Sequence, residues 1–220
     1  MDNINGIISE LKRQYKSPKC ELNFNSNFQL LVAVVLSAQC TDKRVNIVTE
    51  KLFKVADTCE KLNAMSFDSL VEIIRPCGFY INKAKNLKSL ASDLINKYNG
   101  QVPKTKEELL TLAGVGEKTA NVVLANAYRV PAIAVDTHVF RVSNRLGLAS
   151  SKTVSGTQKQ LEQILPRSFW IDAHHSLVLH GRYICKARTP NCLDCSLKRY
   201  CRHYNNKIIT ELNAQTNKKI

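Results

Sequence analysis

Long apolar runs are missing from this 220-residue chain. None reaches the roughly 18 residues needed to cross a bilayer, which argues against a helical membrane protein. The opening MDNINGIISELKRQY lacks the apolar core of a signal peptide and the Arg/Ser bias of a transit peptide, so an intracellular protein is expected. Prolines (6) and glycines (8) are few, and no internal repeat or low-complexity linker is present. With little β-branched alternation as well, the pattern favours helices over strands. Acidic residues are the most telling shortage: 18 Asp+Glu stand against 32 Lys+Arg, a formal charge of +14. Such an excess suits a polyanion, either nucleic acid or an anionic membrane surface. An apolar content of 44% is ample for a core in one large or two small domains.

The most informative stretch is 105–141, TKEELLTLAGVGEKTANVVLANAYRVPAIAVDTHVFR. Thr105 with Glu108 makes a capping-box start, followed by the apolar Leu109, Leu110 and Leu112. Gly114-Val115-Gly116 allows a turn too tight for side chains and lets a ligand approach the backbone. A second helix from Glu117 carries Ala120, Val123, Leu124 and Ala127 on one face. Its N-terminus, entered through glycine, offers free N–H groups and the positive dipole end to a phosphate. Lys118 lies in that first turn, where the dipole disfavours an ammonium and so favours an amine nucleophile. A solvated lysine on a glycine-capped helix is the competing reading, and this stretch alone does not separate the two. Asp136 precedes THVFRV as a good N-cap, and from the residues alone the cap is the stronger reading.

Elsewhere the periodicity predicts a short helix over 5–15 and an all-round apolar helix at Phe28–Leu36, as at a domain centre. A polar break at Ser37–Asp42 leads into a helix over 43–55 burying Val45, Val48, Leu52 and Phe53. Ser66 opens a helix with Leu70, Ile73 and Ile74 inward, closed by Pro76-Cys77-Gly78. From Phe79 and Tyr80 a long helix keeps Ile81, Ala84, Leu87, Leu90, Ala91, Leu94 and Ile95 in phase. Lys83, Lys85 and Lys88 fall on its outer face, and Gly100 sits at the C′ position. Further helices are expected from Asp136 to Gly147, around 155–165 and over 168–184, with a frayed polar tail after His203.

Of eight cysteines, Cys185, Cys192, Cys195 and Cys201 are spaced C-x6-C-x2-C-x5-C. Four thiolates this close in an intracellular chain point to metal rather than disulfides. Zinc sites usually pair two CxxC knuckles; one CxxC flanked by single cysteines suits a cubane iron–sulfur cluster better, with zinc the alternative. Cys20, Cys40, Cys59 and Cys77 show no such spacing and read as small buried apolar residues.

LAGVGEKTANVVLANAY followed by IAVDTHVFRVSNRLGL resembles the helix–hairpin–helix and catalytic-aspartate region of the endonuclease III family of DNA glycosylases. HGRYIC with the cysteine run is similar to that family's cluster loop. LSAQCTDKRVN and GFYINKAKNL are similar to two further segments, so the resemblance runs from about residue 20 to 204. It implies an all-α fold of two helical domains with a DNA-binding cleft between them. One is a six-helix domain over 20–130, with the helix–hairpin–helix at about 107–128. The other, 1–19 plus 131–210, holds a [4Fe–4S] cluster with its loop at 185–201, and 211–220 is a tail.

The resemblance further implies a bifunctional enzyme that removes oxidised pyrimidines of the thymine-glycol type and cuts the strand 3′ to the abasic site. Lys118 is then the amine that attacks C1′, Asp136 its carboxylate partner, and Cys185, Cys192, Cys195 and Cys201 the cluster ligands. Gln39 matches the residue that fills the gap left by a flipped nucleotide, and Phe79 a wedge position where leucine is more usual. Gly114, Val115, Gly116 and Thr119 match backbone-gripping positions. Cys40, where a small or hydroxyl residue is more usual, is a second departure. His138 lies one turn inside its helix, where a structural histidine is as common as a functional one. The implied partner is double-stranded DNA containing damaged bases or abasic sites, bound by a monomer in the cytoplasm of a prokaryote, on the nucleoid and away from membranes. Two rival readings remain: a monofunctional mismatch glycosylase, weakened by an amine at 118, and a non-catalytic iron–sulfur DNA-binding protein.

Overall fold

The computed structural model describes residues 2–206, so the 211–220 tail lies outside the described residues. Among the described residues every regular element is helical. The described residues divide into two compact units, residues 20–132 and residues 2–19 with 133–206. The N-terminal stretch contributes α1 (Asp2–Gln14), which starts earlier than the apolar spacing suggested because its first turn is polar.

Unit 20–132 is built on α2 (Asn27–Leu36), in which every residue from Phe28 to Leu36 is buried. The Ser26 hydroxyl caps it by accepting the Gln29 N–H at 3.2 Å. Gln29, the polar exception in that run, is satisfied by accepting the Asn25 N–H at 2.8 Å. Burying a large aliphatic side chain is worth about 1.5–3 kcal/mol, so this one helix supplies much of the unit's hydrophobic stabilisation. It is followed by α3 (Asp42–Val55), α4 (Cys59–Ala64), α5 (Phe67–Ile74) and α6 (Tyr80–Tyr98). Then come α7 (Lys106–Leu110) and α8 (Glu117–Ala127), which packs against α2. Thr41, Thr58, Ser66 and Thr105 cap α3, α4, α5 and α7.

Three expectations change here. Phe53 and Ile73 are half-buried rather than inward, and Ile81 is exposed. Of the other cysteines, Cys59 and Cys77 are buried, while Cys20 and Cys40 are only half-buried. Lys83, placed by periodicity on the outer face of α6, is 5% exposed, and Lys88 is half-buried. The cause is the same for both lysines. The last carbonyls of a helix have no intrahelical partner and carry partial negative charge, so they attract an ammonium. Lys83 turns to the end of α2; Lys88 turns to the end of α4, donating to the carbonyls of Leu62, Asn63 and Met65. At the far end of α6, Asn99 and Gly100 take left-handed conformations (φ 50° and 76°), and the Gly100 N–H returns to Leu94 O at 2.8 Å.

In the other unit, α1 packs against α11 (Trp170–Tyr183), and α9 (Thr137–Leu146) packs against both α11 and α10 (Val154–Ile164). Ile7, Leu11, Val139, Val142, Leu161, Phe169, Ala173 and Leu177 form their common core. A 3-10 turn at Arg167–Phe169 sets the start of α11. α9 and α11 approach closely at Gly181, where an added Cβ would stand 2.8 Å from the His138 Cβ. His138 thus has a packing role, and its Nδ1 lies 3.2 Å from Arg141 Nη2.

Candidate active site and DNA-contacting turns

The hairpin between α7 and α8 is shaped by local chemistry. Thr105 Oγ1 accepts the Glu108 N–H at 3.3 Å and donates to its carboxylate at 2.6 Å, a variant of the capping box. The Val115 N–H then donates to Leu112 O at 3.1 Å, closing the turn. Gly114 has φ +78°, a region that penalises any side chain, and a Cβ there would also press on Asn86 at 3.0 Å. Gly116 differs: its backbone is extended (φ −104°, ψ −179°), and a Cβ would meet nothing within 4 Å. Packing within the fold therefore explains Gly114 but not Gly116. The Val115 side chain is buried, leaving only its backbone for a ligand.

Gly116 is the N-cap of α8 and provides no side-chain cap, so no cap hydroxyl pairs the first-turn N–H groups. Lys118 is exposed in this turn and Thr119 is half-buried beside it. Glu117 forms an ion pair with Lys106 that ties the start of α8 to α7.

Gln39 and Phe79 both sit at sharp turns of unit 20–132, and both are left-handed, with φ 52° and 46°. Non-glycine residues adopt this region at a cost of roughly 1–2 kcal/mol, and a large aromatic there is rare. Phe79 is also 67% exposed, so little burial of its ring offsets the strain. An aromatic held out in solvent on a strained turn fits a surface built to enter a partner. Behind both turns lies Lys83, whose Nζ donates to Leu36 O at 2.9 Å, Ala38 O at 2.8 Å and Cys77 O at 2.8 Å. Burial pulls its pKa below the ordinary lysine value. Burial also pushes the adjoining Cys77 thiol up to about 12, with the Cys40 thiol adding to the effect.

In the other unit, Asp136 is half-buried at the start of α9, and its Oδ1 accepts the Val139 N–H at 2.8 Å. It is therefore an N-cap, with its second carboxylate oxygen not used by that bond.

The four clustered cysteines line one cavity together with Leu146, His180 and Tyr204. Among the described residues no three His, Cys, Asp or Glu side chains form a group that could hold a metal ion. A four-thiol lining suits a larger, sulfur-ligated group better than a lone cation, so the residues fit an iron–sulfur cluster. Burial pushes the Cys195 thiol up to about 11 and also raises Cys201. Two arginines of α9, which the sequence pattern did not single out, hold the loop. Arg145 donates to Lys186 O at 2.7 Å and Ala187 O at 2.8 Å, with Nη1 3.4 Å from Cys185 Sγ. Arg141 donates to Cys185 O at 3.1 Å and Gly181 O at 2.8 Å. His180 Nε2 lies 3.5 Å from Cys195 Sγ, and its Nδ1 lies 3.0 Å from the Tyr15 hydroxyl. Burial lowers the His180 pKa to about 4. The signal for Arg141 and Arg145 was their i, i+4 spacing on the polar side of α9.

Comparison with known proteins supplies the context. Residues 32–167 match the profile of the HhH-GPD superfamily base excision DNA repair protein. Endonuclease III of Haemophilus influenzae is 48% identical over 197 residues, covering 90% of this chain and 93% of that protein. Two solved structures are each 45% identical with a TM-score of 0.89 and cover 94% of this chain. One is a non-covalent endonuclease III–DNA complex, of which 97% is covered. The other is a trapped endonuclease III–DNA covalent intermediate, an estranged-adenine complex, of which 98% is covered.

Proposed function

Because the chain belongs to the endonuclease III family, within the HhH-GPD superfamily of base excision DNA repair proteins, we propose that it excises damaged bases from duplex DNA and then cuts the strand. It is a bifunctional DNA glycosylase and AP lyase, and its substrates are oxidised pyrimidines of the thymine-glycol type and abasic sites. The observation that carries this reading is an exposed primary amine, Lys118, in the first turn of a glycine-capped helix, in a chain similar to one trapped covalently on DNA.

The chemistry needs few groups. Neutral Lys118 Nζ attacks C1′ of an everted nucleotide; the C1′–N bond to the amine forms as the glycosidic bond breaks, and the base leaves with its electron pair and takes up a proton. Loss of the ring oxygen's bond to C1′ gives an iminium, which acidifies the C2′ proton. Removal of that proton expels the 3′ phosphate, and hydrolysis of the iminium returns the amine. Asp136 supports the cationic sugar electrostatically and relays protons to and from the amine, using the oxygen its cap does not occupy. Gly114, Val115, Gly116 and Thr119 offer backbone and hydroxyl donors to a phosphate. Gln39 and Phe79 enter the base stack where the nucleotide has left.

Cys185, Cys192, Cys195 and Cys201 would hold a [4Fe–4S] cluster, which when bound supplies a rigid staple for a cationic loop. Arg145 and His180 would orient the thiolates through N–H groups directed at sulfur. No helix among the described residues is long and apolar enough to cross a membrane, and with a charge of +14 a cytoplasmic, nucleoid-associated setting is the reading we favour.

The test is product analysis on a duplex with one thymine glycol. A bifunctional enzyme releases the base and leaves a 3′ unsaturated aldehyde at a nick. An intact strand with an abasic site would make the protein monofunctional, and an unaltered duplex would make it a binding module.

A further inference from the structure

Lys83 is the buried charge that the reaction as described does not use. All three of its ammonium hydrogens are committed, and the acceptors come from two places in the chain. Leu36 O and Ala38 O belong to the turn after α2, which presents Gln39. Cys77 O belongs to the turn before α6, which presents Phe79. These partners are 47, 45 and 6 residues from Lys83 in sequence, so the ammonium joins two turns far apart in the chain, which the neighbouring Cys40 and Cys77 thiols also link. Ala38 leads directly into left-handed Gln39, and Cys77 leads through Gly78, at φ 64°, into left-handed Phe79. Strained turns of this kind persist only where their surroundings over-determine them. A buried lysine is a poor choice for stability alone, because desolvating a charge offsets most of what its hydrogen bonds return.

We propose that Lys83 is a positioning residue for nucleotide eversion, fastening the Gln39 turn to the Phe79 turn so that both side chains enter the DNA stack as one preset unit. The inference rests on the reading of Gln39 and Phe79 as stack-entering residues. It gives Lys83 a role in holding geometry, with no contact to the reacting sugar. Its neighbours agree with that role. The groups that act on the ammonium electrostatically are the Cys77 and Cys40 thiols, with no carboxylate that would draw it away from the carbonyls.

The experiment uses the full-length, cluster-loaded protein and a duplex carrying a stable abasic analogue with 2-aminopurine opposite it. Wild type should raise the fluorescence as the opposite base loses its stacking. Lys83→Met should lose most of that rise at saturating protein while melting near the wild-type temperature. In a Gln39→Ala/Phe79→Ala background, adding Lys83→Met should change nothing further, since the lysine acts through those two residues. A further additive loss in that background, or a wild-type rise accompanied by a lower melting temperature, would reduce Lys83 to a fold-stabilising residue. Should Lys83→Met fail to fold, Lys83→Arg carries the test: it keeps the cation but cannot aim hydrogens at the same three carbonyls. A partial rise is expected, again absent from the double-variant background, and a full wild-type rise overturns the proposal. If Gln39→Ala and Phe79→Ala themselves leave the rise intact, the stack-entry reading falls and this proposal with it. If they lower the rise and the Lys83 variants do not, only this proposal falls.

Discussion

Asp136 Oδ1 accepts the Val139 N–H at 2.8 Å, so the carboxylate assigned to chemistry is also the cap of α9. The two duties separate by substitution, since asparagine caps a helix about as well as aspartate but carries no charge. Asp136→Asn should melt within a degree or so of wild type. Its single-turnover base release should be roughly 10²–10⁴-fold slower. Asp136→Ala should in addition lose about 0.5–2 kcal/mol of stability. Base release unchanged in Asp136→Asn, with a melting loss confined to Asp136→Ala, would leave the residue as a cap alone.

The two hairpin glycines should respond differently. Gly114→Ala places a side chain at φ +78° against Asn86 and should cost about 1 kcal/mol or more. Gly116→Ala meets open space in an extended backbone, so melting should be unchanged. Its cost should appear as weaker binding to undamaged duplex, where the added methyl stands in the path of a phosphate. Melting and fluorescence anisotropy decide, and unweakened binding by Gly116→Ala would remove the hairpin from the DNA surface.

Replacing one thiol should release the metal group. Cys192→Ser is expected to lose visible absorption and bound iron together, and to weaken DNA binding as the 185–201 loop loosens. Elemental analysis is the arbiter: stoichiometric zinc in a colourless wild-type protein would overturn the cluster.

Much of this fold could be read from the chain because apolar periodicity and capping residues are local signals. The run from Phe28 to Leu36, the Ser66 start, the Thr105–Glu108 box and the Gly100 and Gly147 ends all lie where pattern put them. α4 was not foreseen, because six residues are too few to display a helical period. Lys83 was misplaced for a deeper reason. Periodicity assigns a face by hydrophobicity, yet an ammonium goes inward when free carbonyls of another helix lie within its reach. The left-handed backbone at Phe79 is likewise invisible to composition, since phenylalanine ordinarily avoids it. The i, i+4 spacing of Arg141 and Arg145 is a local signal, but the cysteine loop they grip lies about forty residues away, and no local rule names that target.

Binding should also reveal the charge balance of +14. A plot of log affinity against log salt should be linear, with a slope of about −0.9 for each phosphate neutralised. A slope near zero would mean that the basic surface is not the DNA surface.

The central claim is that Lys118 forms a covalent iminium with the sugar, and borohydride reduction during turnover tests it most directly. Wild type incubated with thymine-glycol or abasic duplex should yield a stable protein–DNA adduct, with the link at Lys118 on peptide mapping. Lys118→Ala should bind the same duplex and yield none. A wild-type protein that cuts the strand without a trappable adduct, or an adduct that survives Lys118→Ala, would contradict the account.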